Sequence, residues 1–353
     1  MQLKNILISR VDNIGDVILT LPLAGILKEK IPGVKISFLA RNYVRAIVAH
    51  CVHIDAFYSW DALSHMDSMA AVLDIQSKQF DAVIHVSPNP SVAALMRKAG
   101  IAHRIGTARR WFHWLTCNHR VNFSRAQSTL HEAQLNTKLL EPLSFSIDDN
   151  LENLAKYVGL CGASTVSSKI NTFLQSDKFN LIVHPFSNGN AREWPISHFN
   201  ALIRRLPTNI FNVIVTGSSK EALTIEQRMI AQLPHITNAA GQLELEELLQ
   251  LLSQADGVIA NSTGPLHMAA ALGRRTLGLF PISPGMTATR WRPLGENVTT
   301  LEADPHCTAP ACRYKNDCFC MESIKVDAVK SVIMDWAGVS VTGDTRQPVS
   351  SML

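Results

Sequence analysis

The chain has 353 residues, enough for two domains at roughly 150 residues each. It is 46% hydrophobic and 18% charged with a net charge of +4, which excludes a disordered chain and a collagen-like repeat. The longest mainly apolar run, Ile18 to Leu27, contains Pro22 and stops at Lys28, far short of the roughly twenty residues of a membrane-crossing helix. The apolar run after Met1–Lys4 is also too short for a secretory signal, so the chain reads as cytoplasmic.

In chain order, Ile6-Leu7-Ile8 predicts a buried strand, followed by a loop and a helix from Asp16 to about Lys30. Strands are predicted at Lys35 to Ala40 and Ala82 to Val86. The polar stretch from Glu141 to about Lys178 predicts a helix near Leu151 to Val158 and then a linker. The pattern then restarts: a strand at Leu181 to His184, a helix from Pro195 to Leu206, and a strand at Phe211 to Thr216. Helices at Glu221 to Leu233 and Leu243 to Leu252 precede a strand at Gly257 to Ala260. A helix at Pro265 to Leu272, a strand at Thr276 to Phe280 and a last helix at Val326 to Trp336 complete the unit. Strands alternating with helices predict parallel βαβ units, doubled, with a ligand cleft at the strand C-termini.

Cys51, Cys117 and Cys161 stand alone, whereas Cys307, Cys312, Cys318 and Cys320 crowd together without the paired spacing of structural zinc. An odd total fits a reducing compartment, and the crowded group reads as either packed thiols or a metal site. Between Asp81 and Glu132 no acid occurs, while Arg97, Lys98, Arg104, Arg109, Arg110, Arg120 and Arg125 do. That window is either a solvated basic face or a site for phosphorylated saccharide, lipid headgroups or nucleic acid. Trp111, Phe112 and Trp114 within it also suit a membrane interface.

The first strand feeds Asp12-Asn13-Ile14-Gly15-Asp16, which lacks the glycines of a dinucleotide fingerprint and so disfavours a dehydrogenase. Asp16 there is either a helix cap or a general base aimed into the cleft. In Ser262-Thr263-Gly264-Pro265-Leu266-His267 a strand ends in small hydroxyl residues and a helix opens, an arrangement suited to phosphate. His267 by itself reads equally as a buried structural histidine. The loop from His184 to Pro195 sets Ser187 and Asn188 ahead of Arg192, whose guanidinium suits a diphosphate. Asp-x-Asp occurs nowhere in the chain, which moves neutralisation of a leaving diphosphate onto Arg192 and the helix dipoles.

Together these loops resemble the ADP-heptose:lipopolysaccharide heptosyltransferases, glycosyltransferase family 9, over roughly residues 3 to 335. The resemblance rests on Gly15-Asp16-Val17 with Leu21-Pro22, the segment Ala99 to Gly106, Arg192-Glu193-Trp194-Pro195, Gly217-Ser218-Ser219-Lys220-Glu221 and Ser262 to Leu272. It implies an α/β protein of GT-B fold, two Rossmann-like doubly wound domains facing across a cleft. It also implies an inverting, metal-independent transfer without cofactor. Asp16 matches the family's catalytic base. Ser187, Asn188, Arg192, Glu221, Thr263, Gly264 and His267 match donor-binding positions, Glu221 more loosely than the rest. Ser262 stands where many members carry aspartate, which puts any carboxylate role there in doubt.

The basic window, with Arg104, Arg109 and Arg110, falls in the N-terminal domain, which the resemblance implies binds the acceptor. The implied partners are ADP-heptose, the Kdo/heptose-lipid A core of lipopolysaccharide and the cytoplasmic face of the inner membrane, with no nucleic acid. The expected divisions are an acceptor domain over residues 1–165, a donor domain over 178–325, a helix over 326–337 and a mobile tail over 338–353. A related enzyme using another donor sugar, an epimerase, or a non-catalytic nucleotide-sugar binder are the alternatives.

Overall fold

The structure, a computed structural model, describes residues 3–163, 165–283, 285–304 and 319–339. Two six-stranded parallel sheets carry the architecture. The first holds β1 (Asn5–Ser9), β2 (Lys35–Ala40), β3 (Ala56–Ser59), β4 (Ala82–His85), β5 (His103–Thr107) and β6 (His119–Val121), ordered β3-β2-β1-β4-β5-β6. The second holds β7 (Phe179–His184), β8 (Phe211–Val215), β9 (Thr237–Asn238), β10 (Gly257–Asn261), β11 (Arg275–Phe280) and β12 (Val298–Glu302), ordered β12-β11-β10-β7-β8-β9. Read from their own first strands, the two sheets have the same doubly wound order. Central strands such as β1, with Ile6, Leu7 and Ile8 all at 0% exposure, are apolar on both faces because helices cover both faces.

In such sheets the strand order reverses between β1 and β4, and between β7 and β10, and loops diverge there to leave a crevice. The loops after β1, β7 and β10 are those singled out in the sequence. The two halves also share one apolar core, in which Leu154 and Ile170 join Leu251, Leu252, Met268 and Ala269 of the second half. The Val326–Trp336 helix packs on the Ile196–Arg204 helix, and Arg205 pairs with Asp327 at 2.7 Å.

The single helix expected from Asp16 to Lys30 is two helices, Ile14–Ile18 and Leu21–Lys30. Pro22 lacks the N–H that a continuous helix needs, and its ring would collide with the carbonyl of residue 18. Within the break the Asn136 side chain donates to the Leu19 carbonyl at 3.0 Å. Similarly, Pro195 precedes its helix rather than opening it. Cys51, Cys117 and Cys320 are buried thiols, and Cys161 is exposed. Cys307, Cys312 and Cys318, and the tail beyond Val339, lie outside the described residues. No helix among the described residues is long and apolar enough to cross a membrane.

Candidate active site

The chain leaves β1 through Arg10, which is 4% exposed and surrounded by carboxylates. Its guanidinium donates to Asp16 Oδ1, lies 2.9 Å from Asp12 and donates to Glu132 Oε1 at 3.0 Å. The Ile14–Ile18 helix is preceded by Asn13 as its cap position, and Asp16 is the third helical residue. The helix-cap alternative for Asp16 is therefore overturned: its carboxylate is engaged by Arg10, and no side-chain cap bond forms at this terminus. Burial pushes the Asp16 carboxyl above its ordinary 3.8; Arg10 opposes that shift, and Asp12 and Glu132 add to it.

Glu132 is buried at 1% and takes three arginines: Arg10, Arg125 at 3.0 Å, and Arg290 from the second half. Burial pushes its carboxyl up, but those three cations together hold it below the ordinary 4.5.

On the other wall, Asn261 at the end of β10 accepts from the Trp194 backbone N–H at 2.8 Å and donates to the Pro185 carbonyl at 2.7 Å. It thereby pins the loop from Pro185 to Trp194. Within the loop, Glu193 accepts from the Ser187 N–H at 2.7 Å and its hydroxyl at 2.8 Å. Asn188 sits at φ 50° and Gly189 at φ 76°, so the loop turns sharply and exposes its backbone. Glu221 gathers the neighbouring loop, accepting from the Asn188 N–H at 2.9 Å and from the Ser218 N–H and hydroxyl at 2.8 Å each.

Thr263 precedes the Gly264–Ala271 helix and makes no side-chain cap bond. The first N–H groups and the positive end of the helix dipole are left for another partner. His184 and His267 are buried, and burial holds their imidazoles down to about 4 and about 3. Both are neutral near pH 7.

A cavity of about 980 Å³ runs between the halves, with Asp12, Asp16 and Tyr43 on one side and Ser187, Asn188, Glu221, Thr263 and Gly264 on the other. Leu243, Leu245 and Leu248 give its far end an apolar wall. A smaller hollow of about 270 Å³ shares Asp16, Thr263 and Gly264 with it and adds Ser262, His267 and Trp291. Asp16 stands where the two meet. Asp16 lines both hollows, and among the described residues its Oδ2 accepts no hydrogen bond from the protein.

Eight of the sequence-derived residues thus converge. Arg192 lines neither cavity; its Nε donates to Ser283 Oγ at 3.2 Å. Arg104 is turned inward, donating to the Thr116 carbonyl at 2.7 Å and to the Ile101 carbonyl. Arg109 and Arg110 are exposed beside the Trp111–Thr116 helix, on a separate hollow in the case of Arg109. Sequence reasoning missed Arg10, Glu132, Arg290, Tyr43 and the leucine wall. Only Arg10, at the mouth of the first strand, carried a positional signal. Among the described residues no cluster of three His, Cys, Asp or Glu side chains could hold a metal.

Paired doubly wound sheets with their switch points turned on one cleft define the GT-B class of glycosyltransferase fold. The chain belongs to glycosyltransferase family 9 (heptosyltransferase), whose model matches residues 70–319. It is 27% identical over 304 residues to a Haemophilus influenzae protein provisionally designated a glycosyltransferase, covering 83% of this chain and 87% of that protein. It is 23% identical over 314 residues to the lipopolysaccharide core heptosyltransferase OpsX of Haemophilus influenzae, covering 85% of each. Escherichia coli ADP-heptose lps heptosyltransferase II shares the fold with a TM-score of 0.74 at 18% identity, over 95% of this chain and 98% of that one. Escherichia coli heptosyltransferase WaaC with ADP gives 0.70 at 20% identity, over 94% and 99%.

Proposed function

We propose that this protein transfers a heptosyl group from ADP-heptose to a hydroxyl of the lipopolysaccharide inner core, by an inverting displacement without a metal ion. The observation that carries the reading is the free Oδ2 of Asp16, at the junction of two cavities and across from an uncapped helix N-terminus. A hydroxyl is a weak nucleophile until a base takes its proton. In this reading the acceptor O–H gives its proton to Asp16 while its oxygen bonds to the anomeric carbon. The bond from that carbon to the β-phosphate oxygen breaks, and ADP leaves.

Charge developing on the diphosphate meets the N-terminus of the Gly264–Ala271 helix and the backbone of Ser187 to Asn190, and Arg192 would join them by turning from Ser283. The adenine would lie on Leu243, Leu245 and Leu248, with Glu221 near the ribose. Residues 1–165 would then serve the acceptor and residues 178–325 the donor.

The acceptor is anionic and lipid-anchored, and the first half offers a matching face. Trp111, Trp114 and Leu115 are 76%, 61% and 61% exposed on one short helix. Arg109 and Arg110 flank it, and Arg120 stacks over the Trp114 ring at 4.6 Å. Aromatic rings beside cations are what an anionic membrane interface takes up. In this reading the protein is a peripheral guest of the inner membrane's cytoplasmic face.

A panel of nucleotide sugars tests the donor. Selective thermal stabilisation by ADP-linked sugars, and release of ADP only when core acceptor is added, is the expected result. Stabilisation by another nucleotide would change the donor, and binding without turnover would mark a binder. EDTA should leave the rate unchanged; loss restored by magnesium would overturn the metal-free step.

A further inference from the structure

Five charged side chains form one continuous set around the buried Arg10 and Glu132: Asp16 to Arg10, Arg10 to Glu132, and Glu132 to both Arg125 and Arg290. Four of them belong to the first half. Arg290 comes from the Ala288–Trp291 helix of the second half and also donates to the Leu130 carbonyl at 3.4 Å. Beside it His131 bonds the Arg292 carbonyl at 2.8 Å, so the crossing is doubled. Glu132 stands between His131 and Ala133, and nothing in its spacing marks it out.

We infer that Glu132 and Arg290 are positioning residues for the base: through Arg10 they set the charge state of Asp16, so the donor half governs the base held by the acceptor half. This rests on the reading of Asp16 as the base. An isolated ion pair between halves would serve only to hold them together. Here the same carboxylate that grips Arg290 competes with Asp16 for Arg10. Removing Glu132 leaves Arg10 to Asp16 and Asp12 and frees two further cations, which favours the Asp16 carboxylate. Removing Arg290 has the opposite effect. The other groups facing Asp16 are Asp12 and Tyr43, with His131 and His267 buried and neutral nearby. None of these is substituted in either variant; His131 also feels Glu132 and Arg290, but its burial keeps it neutral.

The test follows the Asp16 carboxyl directly, by carbon NMR of aspartate-labelled protein with Asp16→Asn for assignment, alongside the pH dependence of turnover. Glu132→Gln should lower the Asp16 midpoint, and Arg290→Gln should raise it, each by about one pH unit. Arg290→Lys should leave it in place. Movement of both glutamine variants in the same direction, or of neither, overturns the inference. Loss of packing alone would admit water and shift both downward. Should Glu132→Gln fail to fold, the contrast between Arg290→Gln and Arg290→Lys decides alone. Because the titration needs no turnover, it stands even if Asp16→Asn retains activity, a result that would sink the reading of Asp16 as base instead.

Discussion

At the scale of single residues, Asp16 carries the most weight. Asparagine keeps its shape but cannot take a proton near neutral pH, so Asp16→Asn should bind ADP-heptose nearly normally. Its kcat should fall by at least about a hundredfold. Arg10 keeps Asp12 and Glu132 as partners, so the melting temperature should stay within a few degrees. Turnover within a few-fold of the native enzyme would remove Asp16 from the chemistry. The base must be ionised, and burial lifts its carboxyl above 3.8. The wild-type rate should therefore fall as pH drops through a midpoint above that value, and stay level above it. Arg192 is the second case: Arg192→Ala should weaken ADP and ADP-heptose alike, by about tenfold or more. Normal ADP affinity would leave the diphosphate to the helix N-terminus. Asp16, Ser187 and Thr263 were legible in the sequence because they lie in the stretches that lead from a strand into a helix, where a local pattern fixes position. Glu132 was not, because its meaning comes from Arg10 and Arg290, which are brought to it only by the fold.

At the scale of elements, the Ile14–Ile18 and Gly264–Ala271 helices abut across the cleft. A Cβ on Gly264 would lie 2.8 Å from Ile14 Cβ, and one on Gly15 would lie 2.9 Å from the His267 ring. Gly264→Ala should therefore cost about 1–3 kcal/mol in overpacking and reduce turnover. Ile14→Ala should relieve much of that cost in a double mutant, a coupling that a melting-temperature cycle reads directly. An unchanged Gly264→Ala protein would show the approach to be loose. The Trp111–Thr116 helix has its own test in flotation with anionic vesicles. Trp111→Ala with Trp114→Ala should abolish binding while leaving ADP affinity intact; equal flotation would move the membrane contact elsewhere. Buried central strands such as β1, β7 and β10 were readable as unbroken apolar runs. The edge strands β3, β6, β9 and β12 were not, since β3 is half-exposed throughout and β9 has only two residues. Their strand character comes from pairing with a neighbour, which composition does not record.

At the scale of the whole molecule, the doubled strand order was foreseeable from the restart of the α/β pattern after residue 178. The shared core was not, because Leu251 and Leu252 read as an ordinary helix face until the fold brings them into one cluster with Leu154 and Ile170. A continuous apolar seam makes the halves one cooperative unit, so a half expressed alone should expose that seam. The abutting helices add a mechanical property. They join the two sheets at their switch points, near the middle of each, and Asp16 and Thr263 lie beside that junction. Arg41 and Tyr43 follow β2 and Lys220 and Glu221 follow β8, each one strand out from the first strand of its sheet. A rotation of one half on the other that pivots at the junction would move those loops more than it alters the span from Asp16 to Thr263. Such a pivot would work as tongs with the working point at the fulcrum, the jaws parting for substrate and product while the reacting groups stay in gauge.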